Sequence, residues 1–175
     1  VREQLLAANN ILIGTTNILL LEIPEDWRFL EGPTGPEVDR WTDVANRRWM
    51  TQGQALYRLV QPHPEQPGLV RAQVELSLWA TPAAGDPPAG SAMAALEDGA
   101  IDLGGHTATY RFGTVKRGLL PRRDVPALGV LLTCRETGRH LRLELAAGFR
   151  DGRATAVRED LFGLLEGLRA GFRCH

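Results

Sequence analysis

The chain has 175 residues, 43% of them hydrophobic and 23% charged, a length and balance that fit one globular domain over 1–175 and argue against wholesale disorder. Twenty basic and 21 acidic residues leave a net charge of −1, which disfavours a dedicated nucleic-acid binder, because neutralising phosphates requires a basic surface. No run approaches the roughly 20 apolar residues of a membrane-spanning helix.

Val1–Asn10 reads as a short helix with Leu5 and Leu6 inward, and Ile11–Ile23 as an extended segment bent near Asn17 and ended by Pro24. Thr34-Gly35-Pro36-Glu37 has capping-box spacing with proline in the first turn, and Val38, Trp41, Ala45 and Trp49 then share a helical face. Gln54–Val60 alternates as a strand. Pro62, Pro64, Pro67 and Gly68 connect it to Val70, Ala72, Val74, Leu76 and Leu78, which alternate with polar residues. Pro82–Gly90 is a loop, and Ser91 is placed to cap a short helix ending near Leu96.

Gly104 and Gly105 turn the chain into a strand over His106–Phe112 that runs on toward Val115. The densest basic stretch, Lys116, Arg117, Arg122 and Arg123, is split by Pro121 and reads as loop decoration. After a Pro121–Pro126 loop, Leu128–Cys134 is apolar throughout, as in a strand covered on both faces and central to its sheet. A turn over Arg135–Arg139 leads to Leu141, Leu143 and Leu145, which alternate with Arg142 and Glu144. Ala154–Phe172 is the clearest helix, with Val157, Leu161, Leu164, Leu165, Leu168 and Phe172 in one stripe. Gly163 and Gly167 lie on its other side, as tolerated glycines or as a place for a neighbouring backbone. The fold class predicted is α/β in the α+β sense: an antiparallel sheet of about six strands sandwiched by helices, with the last helix packed on it.

Familiar catalytic and cofactor motifs are missing. Gly113–Gly118 lacks the ending of a phosphate-binding loop, no GxGxxG follows a strand, Ser77 and Ser91 stand outside any GxSxG, and HExxH and CxxC do not occur. No cofactor is expected. The neighbouring acids Glu25 with Asp26 and Glu97 with Asp98 read as capping or solubilising groups. Lys116 is the only lysine, and the arginine, alanine, glycine and proline bias is that of a GC-rich gene. The sequence starts at Val1 rather than methionine, which is compatible with a trimmed signal or tag and leaves the compartment open, cytoplasmic or exported.

One constellation stands out. Cys134 ends a strand and His140 begins the next. That strand travels away by about 26 Å at ~3.3 Å per residue, and the helix returns by about 27 Å at ~1.5 Å per residue, delivering Cys174 and His175 to the level of Cys134. If His106–Phe112 pairs antiparallel with Leu128–Cys134, His106 starts at that end too. Three readings stand side by side: a buried structural thiol with unrelated histidines, a Cys134–Cys174 disulfide, or a metal or thiol site using Cys134 and Cys174 with one or more of His106, His140 and His175. Trp27, Trp41, Trp49 and Trp79 are candidates for a ligand groove or for core anchors.

Leu19–Trp27 (LLLEIPEDW), Gly104–Phe112 (GGHTATYRF) and the closing hairpin and helix, ending in Phe172-Arg173, together resemble the PsbP-like family of small α/β proteins. The resemblance implies a central antiparallel sheet sandwiched by helices and a non-enzymatic accessory role, often within larger assemblies. It carries across no functional residue. The function expected is therefore a non-catalytic binding or accessory domain, for a protein partner or through self-association. The alternatives are a metal or thiol-dependent protein using the Cys/His edge, and a small-molecule carrier.

Overall fold

Sustained two-residue alternation dictates strands, and strands make up most of the described residues. The structure, a computed structural model, describes residues 2–5, 9–10, 15–16, 19–31, 53–66, 68–118, 122–150 and 153–175. In chain order the strands are β1 (Arg2–Leu5), β2 (Asn9–Asn10), β3 (Thr15–Thr16), β4 (Leu20–Ile23), β5 (Arg28–Glu31), β6 (Gln54–Pro62), β7 (Val70–Thr81), β8 (Met93–Leu103), β9 (His106–Arg117), β10 (Arg123–Thr133), β11 (His140–Ala147), β12 (Phe149–Arg150) and β13 (Arg153–Ala154). The helix α1 (Arg158–Ala170) follows. Seven strands form one antiparallel sheet in the order β5-β6-β7-β11-β10-β9-β8, beside two-stranded pairs β1-β4, β2-β3 and β12-β13.

Register sorts the side chains between the two faces of the sheet. Leu128, Val130 and Leu132 of β10 stand opposite Leu145, Leu143 and Leu141 of β11 and opposite Phe112, Tyr110 and Ala108 of β9. These point toward α1, whose Phe162 ring meets Tyr110 at 5.6 Å and Phe112 at 5.9 Å. The helix buries Leu161, Leu164, Leu165 and Leu168, and Phe172 just beyond it is buried as well. Burying each such side chain contributes about 1.5–3 kcal/mol. Val157 is not part of that buried stripe: it is the N-cap residue and is 56% exposed. Its N–H donates to Asp160 Oδ2 at 3.0 Å, which satisfies one of the free donors of the first turn. Arg158 ties the same end to β8 through Glu97, at 2.7 Å, and lies over the Phe162 ring at 4.2 Å.

Several expectations are corrected. Residues 2–5 are a strand paired with β4, Leu5 opposite Leu20, not a helix. The short helix after Ser91 is absent, because β8 begins at Met93. Its inward face is Glu97, Gly99, Ile101 and Leu103, half of it without apolar character, so the alternation was hidden. Among the described residues the sheet has seven strands, and β10 lies in its interior as expected, next to the middle strand β11, but it begins at Arg123 and runs through Pro126 instead of following a loop there. Among the described residues a single helix covers one face, so the sandwich of helices is not seen. The Val38–Trp49 helix and the Asn17 bend lie outside the described residues.

The second face is crossed by residues 82–92, which lead from the end of β7 to the far edge strand β8. Ser91 bonds Glu144 of β11 on the way. Gly167 of α1 packs against Pro24, whose ring lies 2.2 Å from where a Cβ would stand, while Gly163 faces open space. The close approach of a neighbour therefore applies to Gly167 alone. No helix among the described residues is long and apolar enough to cross a membrane.

Candidate metal centre

The site is assembled by a hairpin, a turn and the segment after α1. The β8–β9 hairpin closes through Gly104 and Gly105 at φ +60° and +80°, the left-handed pair that a two-residue hairpin turn requires. A Cβ at Gly104 would stand 2.5 Å from the Phe172 carbonyl oxygen, so the bare turn lets the post-helix segment lie directly on it. That seats His106, first residue of β9, beside Cys174. The same segment is held from the other side by β4, with Leu20 N–H donating to Arg173 O at 2.8 Å and Arg173 N–H to Leu20 O at 3.1 Å.

Cys134 follows β10 and opens the turn to β11. Its carbonyl accepts from Gly138 N–H and its N–H donates to Arg139 O, both at 2.8 Å. Gly138 takes φ +68° to close this loop.

His106, Cys134, Cys174 and His175 present their donor atoms within 4.8 Å of one another. Cys174 Sγ lies 3.4 Å from His106 Nε2 and 3.6 Å from His175 Nδ1, and Cys134 Sγ lies 3.5 Å from His175 Nδ1. The imidazoles of His106 and His175 stack edge to face at 5.4 Å. His106, Cys134 and Cys174 are buried and His175 is exposed.

The two thiols are electrostatically unlike. Burial pushes the Cys134 thiol up, but the Thr137 hydroxyl and N–H, the Cys174 thiol and the Glu136 N–H together outweigh it and hold the pKa down to about 7. Burial, its hydrogen bond to Cys134 and the charge on Cys134 push Cys174 up to about 12. Around neutral pH Cys134 is in the middle of its titration while Cys174 stays a thiol, so a thiolate–thiol pair forms as the pH rises above 7.

Four of the five sequence candidates therefore meet, and the fifth does not. His140 pairs in register with Thr133, so it faces away from Cys134, and its Nδ1 lies 2.9 Å from Thr133 Oγ1. The Cys134–Cys174 disulfide is not formed: both residues are free thiols. Trp27 is buried in the core and Trp79 is partly buried, while Trp41 and Trp49 lie outside the described residues.

Sequence reasoning missed a second polar group. Glu144, a polar residue alternating with the leucines of β11, is fully buried. It accepts from Ser91 N–H at 3.0 Å, Ser91 Oγ at 2.5 Å and Arg117 Nη2 at 2.8 Å. The available signal was an acid inside an apolar strand, Leu143 and Leu145 on either side and two alanines beyond. Glu97 of the Glu97/Asp98 pair is structural, bound by Arg158 and by the Tyr110 hydroxyl at 2.9 Å.

The donor set matches a specific chemistry. Zn–S bonds of about 2.3 Å and Zn–N bonds of about 2.0–2.1 Å at a tetrahedral angle place S and N about 3.5 Å apart, and three of the four S···N pairs here stand at 3.4, 3.5 and 3.6 Å. The surroundings are less complete. Metal-bound histidines usually donate their second ring N–H to an acceptor, whereas His106 Nδ1 is buried with no hydrogen-bond partner. No protein-family model, characterised protein or solved structure matches the chain.

Proposed function

We propose that this domain is a zinc-binding module of accessory type, in which Zn2+ held by His106, Cys134, Cys174 and His175 fastens the segment after α1 to the end of the sheet. The observation that carries this reading is the convergence of two sulfurs and two imidazole nitrogens within 4.8 Å, with three S···N pairs at the separation a zinc tetrahedron requires. Two thiols with two imidazoles suit Zn2+ better than the hard cations, which take oxygen donors.

Four protein ligands leave no position for substrate, so the centre fixes structure instead of turning over a reaction. Its exposed His175 and the unpartnered His106 Nδ1, which costs about 1–3 kcal/mol when buried, favour an ion that exchanges over one that is locked in. The PsbP-like resemblance of Leu19–Trp27, Gly104–Phe112 and the closing hairpin and helix supports the accessory, non-enzymatic role. Loading the ion orders the residues that pair with β4, and so couples metal supply to that face of the domain.

The test is a Co2+ titration of the reduced protein. Tetrahedral d–d absorption with sulfur-to-cobalt charge transfer, displaced by Zn2+ at one equivalent, is the expected result. Cys134→Ala and Cys174→Ala should each abolish the charge-transfer band at the original stoichiometry. An octahedral spectrum, or one that persists in both variants, rejects the proposal.

A further inference from the structure

On the face away from α1 the sheet carries a groove of about 530 Å³. Its floor is Gly129, which pairs with Arg111 on one side and Glu144 on the other, while Thr109 and Arg142 flank Leu131 one step along. Arg111 and Arg142 therefore stand diagonally across a residue that has no side chain, and both line the groove together with Asp98, Thr109 and Leu131.

Neither guanidinium is fully paired: Arg142 keeps one long ion pair, to Glu144, and Arg111 has none with a described residue. Arg142 is held flat between two glycines: a Cβ on Gly90 would fall 1.9 Å from its Cζ, and one on Gly129 would fall 3.2 Å from its Nη2. Its Nε is buried without a hydrogen-bond partner, and its nearest carboxylate oxygen, Glu144 Oε2, is 3.7 Å away. Glu144 is already taken by Ser91 and Arg117. Arg111 is exposed and has no ion pair or hydrogen bond with any described residue. The Thr109 hydroxyl reaches only the Leu131 carbonyl at 3.5 Å, beyond the usual range of an O–H···O bond.

We infer that this groove is an anion-binding site, in which Arg142, clamped between Gly90 and Gly129, and Arg111 across the glycine floor grip the carboxylate or phosphoryl group of a small molecule whose apolar part lies on Leu131. A guanidinium fixed in place before binding loses little rotamer freedom when its forked donors meet two oxygens. The Thr109 hydroxyl supplies a third donor. Asp98, the one carboxylate among the lining residues, limits the ligand's charge and disfavours polyanions. The site stands on the opposite face from the Cys/His cluster and does not depend on the zinc reading.

The experiment is a titration of the full chain with sodium phosphate and, separately, sodium acetate at constant ionic strength, following the amide signals of Gly129 and Thr109 by NMR. Saturable shifts with at least one anion are expected. Arg111→Gln, an exposed change that leaves the core intact, and Arg142→Gln should each weaken that affinity tenfold or more, and Asp98→Asn should tighten it. Saturation by phosphate alone assigns a phosphoryl ligand, and by acetate alone a carboxylate. Shifts that stay linear in both salts, or an affinity unchanged in Arg111→Gln, overturn the inference.

Discussion

Glu144 and Cys134 are both fully buried ionisable residues, one inside β11 and one just past the end of β10, yet the molecule treats them differently. Glu144 on β11 is supplied from within: two donors from Ser91 and one from Arg117 occupy its oxygens. Cys134, just past the end of β10, accepts hydrogen bonds from its own turn, at Thr137 and Glu136, but also shares its space with a second sulfur and an imidazole nitrogen that can bind a cation beside it. A buried charge must be compensated. The first is closed by the protein itself, whereas the second is surrounded by donors to a cation. Saturation by the chain's own groups marks scaffold, and convergence of like donor atoms marks a place for something else.

The largest effect expected falls on the self-sufficient group. Glu144→Ala strips the acceptor from Arg117 and Ser91, and removing one member of a buried pair costs roughly 3–5 kcal/mol. Arg117 keeps a path to water, its side chain being 28% exposed, so the lower end of that range, about 3 kcal/mol, is expected. Urea unfolding should show the same loss with zinc or with chelator. A loss confined to the zinc-loaded protein would join the two regions that the comparison separates.

The Cys/His region should respond to metal instead. At a free Zn2+ concentration one hundred times the dissociation constant, linkage adds about 2.7 kcal/mol to the folded state. Thermal unfolding with and without zinc measures it. The gain should vanish in Cys174→Ala, while Glu144→Ala should retain it in full. Zinc-independent stability in the unaltered chain would leave the donor cluster with no thermodynamic role.

The same contrast explains how much could be read from residues alone. The meeting of Cys134, Cys174, His106 and His175 was legible because the eight-residue strand leads away by about 26 Å at ~3.3 Å per residue, while the thirteen-residue helix leads back by about 20 Å at ~1.5 Å per residue, and the residues after the helix carry the chain on to its starting level. The long strands β7, β9 and β11 were legible from alternation. Glu144 was not: Arg142 and Glu144 alternate as a solvent-facing row should, and only the passage of residues 82–92 over that face turns it into an interior. β8 was hidden for a related reason, because Glu97 and Gly99 occupy inward positions. The glutamate is bonded to Arg158 and Tyr110, and the glycine makes room for the Tyr110 ring, 2.8 Å from where its Cβ would be.

A smaller effect follows from pH in the metal-free chain. Cys134, held down to about 7, lies below the ~8.5 of an unfolded thiol, so its contribution is complete above ~8.5 and is lost as pH falls through about 7. Cys174, pushed up to about 12, works the other way: its contribution is present below ~8.5 and is lost as pH rises toward 12. Stability in chelator should therefore climb from pH 7 to a maximum near 8.5 and decline beyond it. Urea midpoints across that range measure the profile, and Cys134→Ala should remove the rising limb while Glu144→Ala keeps it. A flat profile in the unaltered protein contradicts the thiolate–thiol pairing.

The smallest effect expected is also the sharpest probe of register. His140 starts β11 a few residues from Cys134, and sequence proximity alone would count it among the ligands. Pairing with Thr133 turns it to the other face, where its Nδ1 meets the Thr133 hydroxyl, and a one-residue slip between β10 and β11 would reverse that assignment. His140→Ala should then change stability by no more than about 0.5 kcal/mol, as for a surface position. It should also leave the cobalt spectrum and the zinc affinity as they were, whereas His106→Ala weakens both. If His140→Ala abolishes metal binding and His106→Ala does not, the strands meet in another register and the four-residue tetrahedron is wrong.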